Sequence, residues 1–120
     1  MKVFIPVSVG ELLDKISILE IKSIFTDNEY VLKELNDLNQ IKDTLSQFTL
    51  EYMNELRDVN KKLWSIEDEL RELEKKKDFG KRFIELARSV YITNDKRAEI
   101  KRKINDTYNS EYKEIKFYSE

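Results

Sequence analysis

The 120-residue chain contains no cysteine, no histidine, one proline and two glycines. Without cysteine or histidine it has no thiol nucleophile, disulfide or imidazole base, and none of the usual zinc or haem ligands. With only Gly10 and Gly80, it carries neither a glycine-rich phosphate loop nor a dinucleotide fingerprint. The turn residues of a sandwich or barrel are missing as well. No run approaches the roughly 20 apolar residues of a membrane-spanning helix. Val3 to Val9 is apolar after Lys2, but Pro6 interrupts it, and Glu11 and Asp14 follow without a cleavage region. The segment therefore does not read as a secretion signal, and the expected location is cytoplasmic.

Charge and apolar residues are both plentiful. Hydrophobic residues make up 40% of the chain, enough for a core, and the 38% that are charged suit long solvated helices. Disorder would require fewer apolar residues or a large net charge, and the net charge is only −2. That near balance argues against a general nucleic-acid binder. The balance hides an asymmetry: residues 1–60 hold 6 basic and 11 acidic side chains, residues 61–120 hold 16 and 13. Opposed halves suit antiparallel packing of one on the other, or contact between subunits. The chain is expected to form a single helical domain over residues 1–120.

Four helical segments follow from the pattern. Ser8 stands three residues before Glu11, a capping-box spacing that starts a helix over Val9–Phe25. Its apolar residues fall on two stripes, Leu12/Ile16/Leu19 and Ile18/Ile21/Phe25, so it is expected to be sandwiched between elements or between subunits. Thr26 and Glu29 repeat the spacing and predict a second helix from about Asp27, weakening at a turn over Gln47–Leu50. Tyr52, Leu56, Val59, Leu63, Ile66, Leu70 and Leu73 alternate steps of four and three, which predicts a third helix of roughly 25–28 residues. Asp78-Phe79-Gly80 is a turn. A fourth helix starts at Lys81, with an interruption expected at Ile92-Thr93-Asn94 and a further helix from there to about Asp106. Val3/Ile5/Val7 and Ile115/Phe117 alternate, so the N- and C-terminal segments are expected to form a small β-pair. The expected fold is mainly α: an antiparallel helical bundle with long helices and that terminal pair.

Three blocks stand out together. They are Ile5-Pro6-Val7-Ser8 running into Gly10–Lys22, then Leu63-Trp64-Ser65-Ile66-Glu67-Asp68, then Phe83–Tyr91 with Asn94–Ala98 and Ile100-Lys101-Arg102. In these blocks the chain resembles a family of short bacterial and phage helical proteins that form a domain of unknown function. The resemblance spans most of the chain, with Asn28–Glu55 as the unlike part. It implies a grouping and no catalytic or ligand residues.

Several polar residues occupy inward positions. Glu20 falls within the main apolar arc of the first helix, and Asp14 lies similarly on the second stripe. A buried carboxylate must be paired, protonated or bound to a cation; the simplest partner for Glu20 is a base of the fourth helix, Arg88 or Arg97. Glu67 shares a face with Asn60 and Glu74, bordered by Trp64 and Arg71. Thr93 and Arg97 interrupt the inward run Val90, Ile100, Ile104, and polar groups there need partners. Thr93 or Asn94, starting a helix beside Lys96, Arg97, Lys101, Arg102 and Lys103, would make an anion site. Glu20, Glu67, Arg88, Asn94 and Arg97 are therefore the candidate polar binding pocket. Against this stand plain ion pairing and solvated charge.

The favoured functional expectation is a non-enzymatic module that binds a protein partner or an anionic small molecule, acting as a homodimer. No cofactor, metal or membrane is expected, and nucleic acid is disfavoured. The alternative is a magnesium-dependent hydrolase like the all-α nucleotide pyrophosphohydrolases. Glu69 and Glu72 supply its Glu-x-x-Glu spacing, but Arg88 stands where Glu85 would need an acidic partner three residues on.

Overall fold

The computed structural model describes residues 1–45 and 49–117. Four helices follow one another: α1 Val9–Phe25, α2 Glu29–Lys42, α3 Thr49–Lys75 and α4 Lys81–Thr107. α1 begins as expected, with Ser8 Oγ accepting from the Glu11 amide at 3.1 Å. Thr26 does not cap α2. It ends α1, and Asn28 Oδ1 accepts from the Tyr30 amide at 2.9 Å instead. An asparagine one residue before the helix satisfies an orphan amide at least as well as threonine does. The turn expected over Gln47–Leu50 lies partly outside the described residues, and α3 is under way at Leu50.

α3 and α4 form a long antiparallel hairpin, tied near the turn by Arg82 and Glu69 and at the far end by Tyr52 Oη and Thr107 Oγ1, 2.6 Å apart. α4 runs unbroken through Ile92-Thr93-Asn94, against expectation. The helix propensities of Thr and Asn are only a few tenths of a kcal/mol below average, and burial of Thr93 and Ala98 outweighs them. Leu12, Leu13 and Ile16 of α1 meet Met53, Leu56 and Val59 of α3 and Ile104 of α4 in the core. Ile21 is buried, and Phe25 stacks on Trp64 of α3 with centroids 5.4 Å apart. The second stripe of α1 thus lies against the long third helix. α2 contacts only α1 among the helices and buries no residue completely.

The described residues contain no strand, so the terminal β-pair does not form; Tyr118 lies outside them. The two ends are drawn to different helices. Lys2 pairs with Asp37 of α2, whereas Glu114 and Lys116 pair with Lys101 and Asp95 of α4. Lys2 and Lys116 are thus held on different helices, and an unpaired strand has no ladder to join.

Both hairpin helices end in the same way. Lys77 and Asn109 adopt positive φ, 54° and 49°. The Asp78 amide donates to Leu73 O at 2.9 Å and the Ser110 amide to Asn105 O at 2.7 Å, as in Schellman caps. Glycine is the favoured residue at that position, and the left-handed conformation costs an L-residue roughly 1–2 kcal/mol. Allowing for the greater unfolded-state freedom of glycine, Lys77→Gly is expected to stabilise the protein by about 0.5–1 kcal/mol. Urea denaturation reads this directly, and an unchanged or lower midpoint would contradict it.

Candidate functional site

The most buried polar groups lie where α1 crosses the hairpin. Asp14, with 1% of its surface exposed, receives hydrogen bonds from Arg97 Nε at 2.9 Å and from Arg97 Nη2. Asn60 Nδ2 of α3 donates to Asp14 Oδ1 at 2.9 Å and to Ser17 Oγ at 2.6 Å. Ser17 Oγ in turn donates to Asp14 O. One carboxylate thereby binds three helices together. The Asp14 hydrogen bond holds the Arg97 guanidinium above its ordinary pKa, with burial opposing. Asn94 Oδ1 accepts from Arg97 Nη1 at 3.4 Å, at the long end of the range.

A second layer lies one turn toward the end of α4. Gly10 N donates to Asn105 Oδ1 at 2.7 Å, and Val9 N to Ser110 Oγ at 3.1 Å. With Ser8 serving Glu11 N, the first amides of α1 are satisfied by side chains from its own cap, from α4 and from Ser110 just beyond α4. Glu11 does not close the capping box. Its carboxylate takes Lys101 Nζ at 2.8 Å, which also reaches Glu114 at 3.2 Å. Burial works against the Lys101 charge, but the bond to Glu11 and the surrounding carboxylates outweigh it, so its pKa is raised. α4 has no start at Thr93 or Asn94, so the anion site expected there does not form. Thr93 Oγ1 and Asn105 Nδ2 remain buried without hydrogen-bond partners.

The five candidate residues are divided among several places. Arg97 and Asn94 belong to the junction with Asp14. Glu20 pairs with Arg57 of α3 at 3.0 Å, not with a base of α4. Its helical phase turns it toward α3, and both side chains are about 30% exposed. Glu67 is exposed, 4.0 Å from Arg71 one turn on, and Arg88 faces solvent. Glu69 is held by Arg82 and Glu72 by Lys75. Among the described residues, no three acidic side chains group together as metal ligands. The carboxylate convergence required by the hydrolase reading is therefore missing there.

A cleft of about 770 Å³ opens between α1, α2 and α3, where the α2 backbone approaches α1 but not α3. Ile21, Ile24 and Leu35 form its apolar part, and its charged lining is Glu20, Asp43, Arg57, Lys42 and Lys61. Arg57 is oriented from two sides, by Glu20 and by Asn54 Oδ1 at 3.0 Å. Lys42 and Lys61 make no ion pair among the described residues. Sequence reasoning missed Arg57, Lys42 and Lys61, which stand out only once the helices are assembled. It placed Lys101 only in a basic cluster and missed Asn105, although a signal was present. Thr93, Arg97, Lys101 and Asn105 follow one another at steps of four, a polar stripe on the inward face of α4.

No curated protein and no solved structure matches the chain. A family model does, described as a family of unknown function (DUF6165), and it matches residues 1–120, including the Asn28–Glu55 stretch outside the three sequence blocks. This helical chain belongs to that family.

Proposed function

We propose that the protein is a binding module that takes a small anionic ligand in the cleft between α1, α2 and α3. The observation that carries this reading is the pair of ammonium groups, Lys42 and Lys61, that make no ion pair among the described residues and with Arg57 outnumber the two carboxylates of the lining, Glu20 and Asp43. Arg57 needs little reorganisation to present its remaining N–H groups, which lowers the entropic cost of binding. Ile21, Ile24 and Leu35 would cover an apolar portion of the ligand. The cleft has the size usual for small-molecule sites. A ligand bridging Lys42 of α2 and Lys61 of α3 would link two helices whose backbones do not come close to each other.

The test is titration by NMR with inorganic phosphate, a nucleoside monophosphate and a dicarboxylate, each compared with a neutral analogue. Shifts should cluster on residues lining the cleft for the anions alone. A charge-assisted hydrogen bond is worth about 1.5–3 kcal/mol, so Lys42→Glu or Lys61→Glu should weaken binding by about tenfold or more. Equal response to the neutral analogues, or silence across the panel, would contradict the reading.

A further inference from the structure

The face of the hairpin that α1 fills continues beyond the end of α1. Along α3, Asn60 meets Ser17 and Asp14, and Trp64 meets Phe25, the last residue of α1. One turn further the same face presents Glu67 and Arg71. Along α4, Arg97 meets Asp14. About two to three turns toward the hairpin tip come Val90 and Ala87. Here the face becomes an open groove of about 410 Å³, lined by Leu70, Phe83, Ala87 and Val90 and by the charged Glu67, Arg71 and Glu74. Ile84 and Tyr91, each 56% exposed, extend the apolar surface outward along α4. Two helices alone bury only the stripe between them, and a bundle requires a further layer on this face.

We propose that a second copy of this chain supplies that layer, with the hairpin grooves of two protomers packed face to face about a two-fold axis. Within this edge the Glu67 and Arg71 positions are self-complementary in charge. An antiparallel crossing of the two α3 helices centred near Glu69 sets Glu67 of each protomer opposite the partner's Arg71. Within one chain these side chains only brush each other at 4.0 Å, which leaves both available. The chain's own ends are held elsewhere, Lys2 on Asp37 of α2 and Lys116 on Asp95 of α4. A contact of this kind is isologous, so each residue change counts twice. The groove lies on the hairpin outside the anion cleft and shares no lining residue with it.

The experiment is sedimentation equilibrium of the full chain and its variants, with helical content followed by circular dichroism. The wild type should be dimeric. Ala87→Arg, at an exposed position, should give a monomer of unchanged helicity. Arg71→Glu and Glu67→Arg should each raise the dissociation constant about tenfold or more by placing like charges face to face, and the double swap should return it to within about threefold. A monomeric wild type would overturn the proposal, as would a dimer indifferent to Ala87→Arg. Failure of the double swap to rescue either single change would overturn the two-fold arrangement proposed here.

Discussion

Asp14→Ala is expected to lose about 3 kcal/mol of stability, the lower end of the range for breaking a buried ion pair. The loss comes less from the missing attraction than from what is left behind. Arg97 would keep its charge with only the long contact to Asn94, and Asn60 would retain Ser17 as its sole partner. The Arg97 side chain is 28% exposed, so water can take over part of its solvation, which holds the cost below the upper end. Arg97→Leu should cost at least as much, because Asp14 is almost wholly enclosed and its carboxylate cannot reach solvent. Replacing both residues by leucine should recover part of the loss, since the desolvation cost is removed together with the attraction. Chemical denaturation of the two single variants and the double variant closes a thermodynamic cycle. A cost under about 0.5 kcal/mol for Asp14→Ala, as at ordinary surface sites, would show that the junction contributes nothing to stability.

Gly10 poses the opposite problem, too little space. A β-carbon there would lie 2.8 Å from Lys101 O and 2.9 Å from Asn105 Oδ1. The first is backbone of a buried helix, and the second is the acceptor for Gly10 N itself. Neither can move without separating α1 from α4. Helix propensity alone favours alanine over glycine by up to about 1 kcal/mol. Overpacking costs roughly 1–3 kcal/mol, and a displaced buried hydrogen bond adds about 1 kcal/mol more. The sum decides the sign: Gly10→Ala should be destabilising, and Gly10→Val more so, by about 3 kcal/mol. Gly80→Ala is the control. Its added carbon meets only the Asp78 carboxylate oxygen at 3.3 Å, the end of a side chain that can turn aside. Thermal melts in which Gly10→Ala gains stability would show that the helices can part at little cost.

Helix boundaries were largely legible because they are local. Ser8 and the apolar period defined α1, and the unbroken stripe from Tyr52 to Leu73 defined α3, within a few residues of Val9–Phe25 and Thr49–Lys75. The local signals that failed were those that burial overrode. Thr93 and Asn94 look like a break, yet the packing of α4 on α1 and α3 carries the helix through them. The terminal segments alternate like strands, but pairing depends on their lying side by side, and their ion pairs go to α2 and α4 instead.

The site was legible only as a set of suspicious positions. Inward polar residues on α1 and α4 were evident from helical phase, and Asp14 and Arg97 do meet. Which carboxylate met which base was not evident, because a residue's phase gives its direction around one helix and says nothing of the neighbour it faces. Glu20 found Arg57 rather than a base of α4 for that reason. By itself the sequence determined four helices, their amphipathic faces and the absence of thiol and imidazole chemistry, all of which depend on residues within a turn or two of one another. The tertiary structure alone decided that Gly10 must lack a side chain, that Asp14 joins three helices, and that α2 stands away from α3 to open a cleft beside Lys42 and Lys61. Those are relations between residues far apart in the chain, set by how whole helices pack.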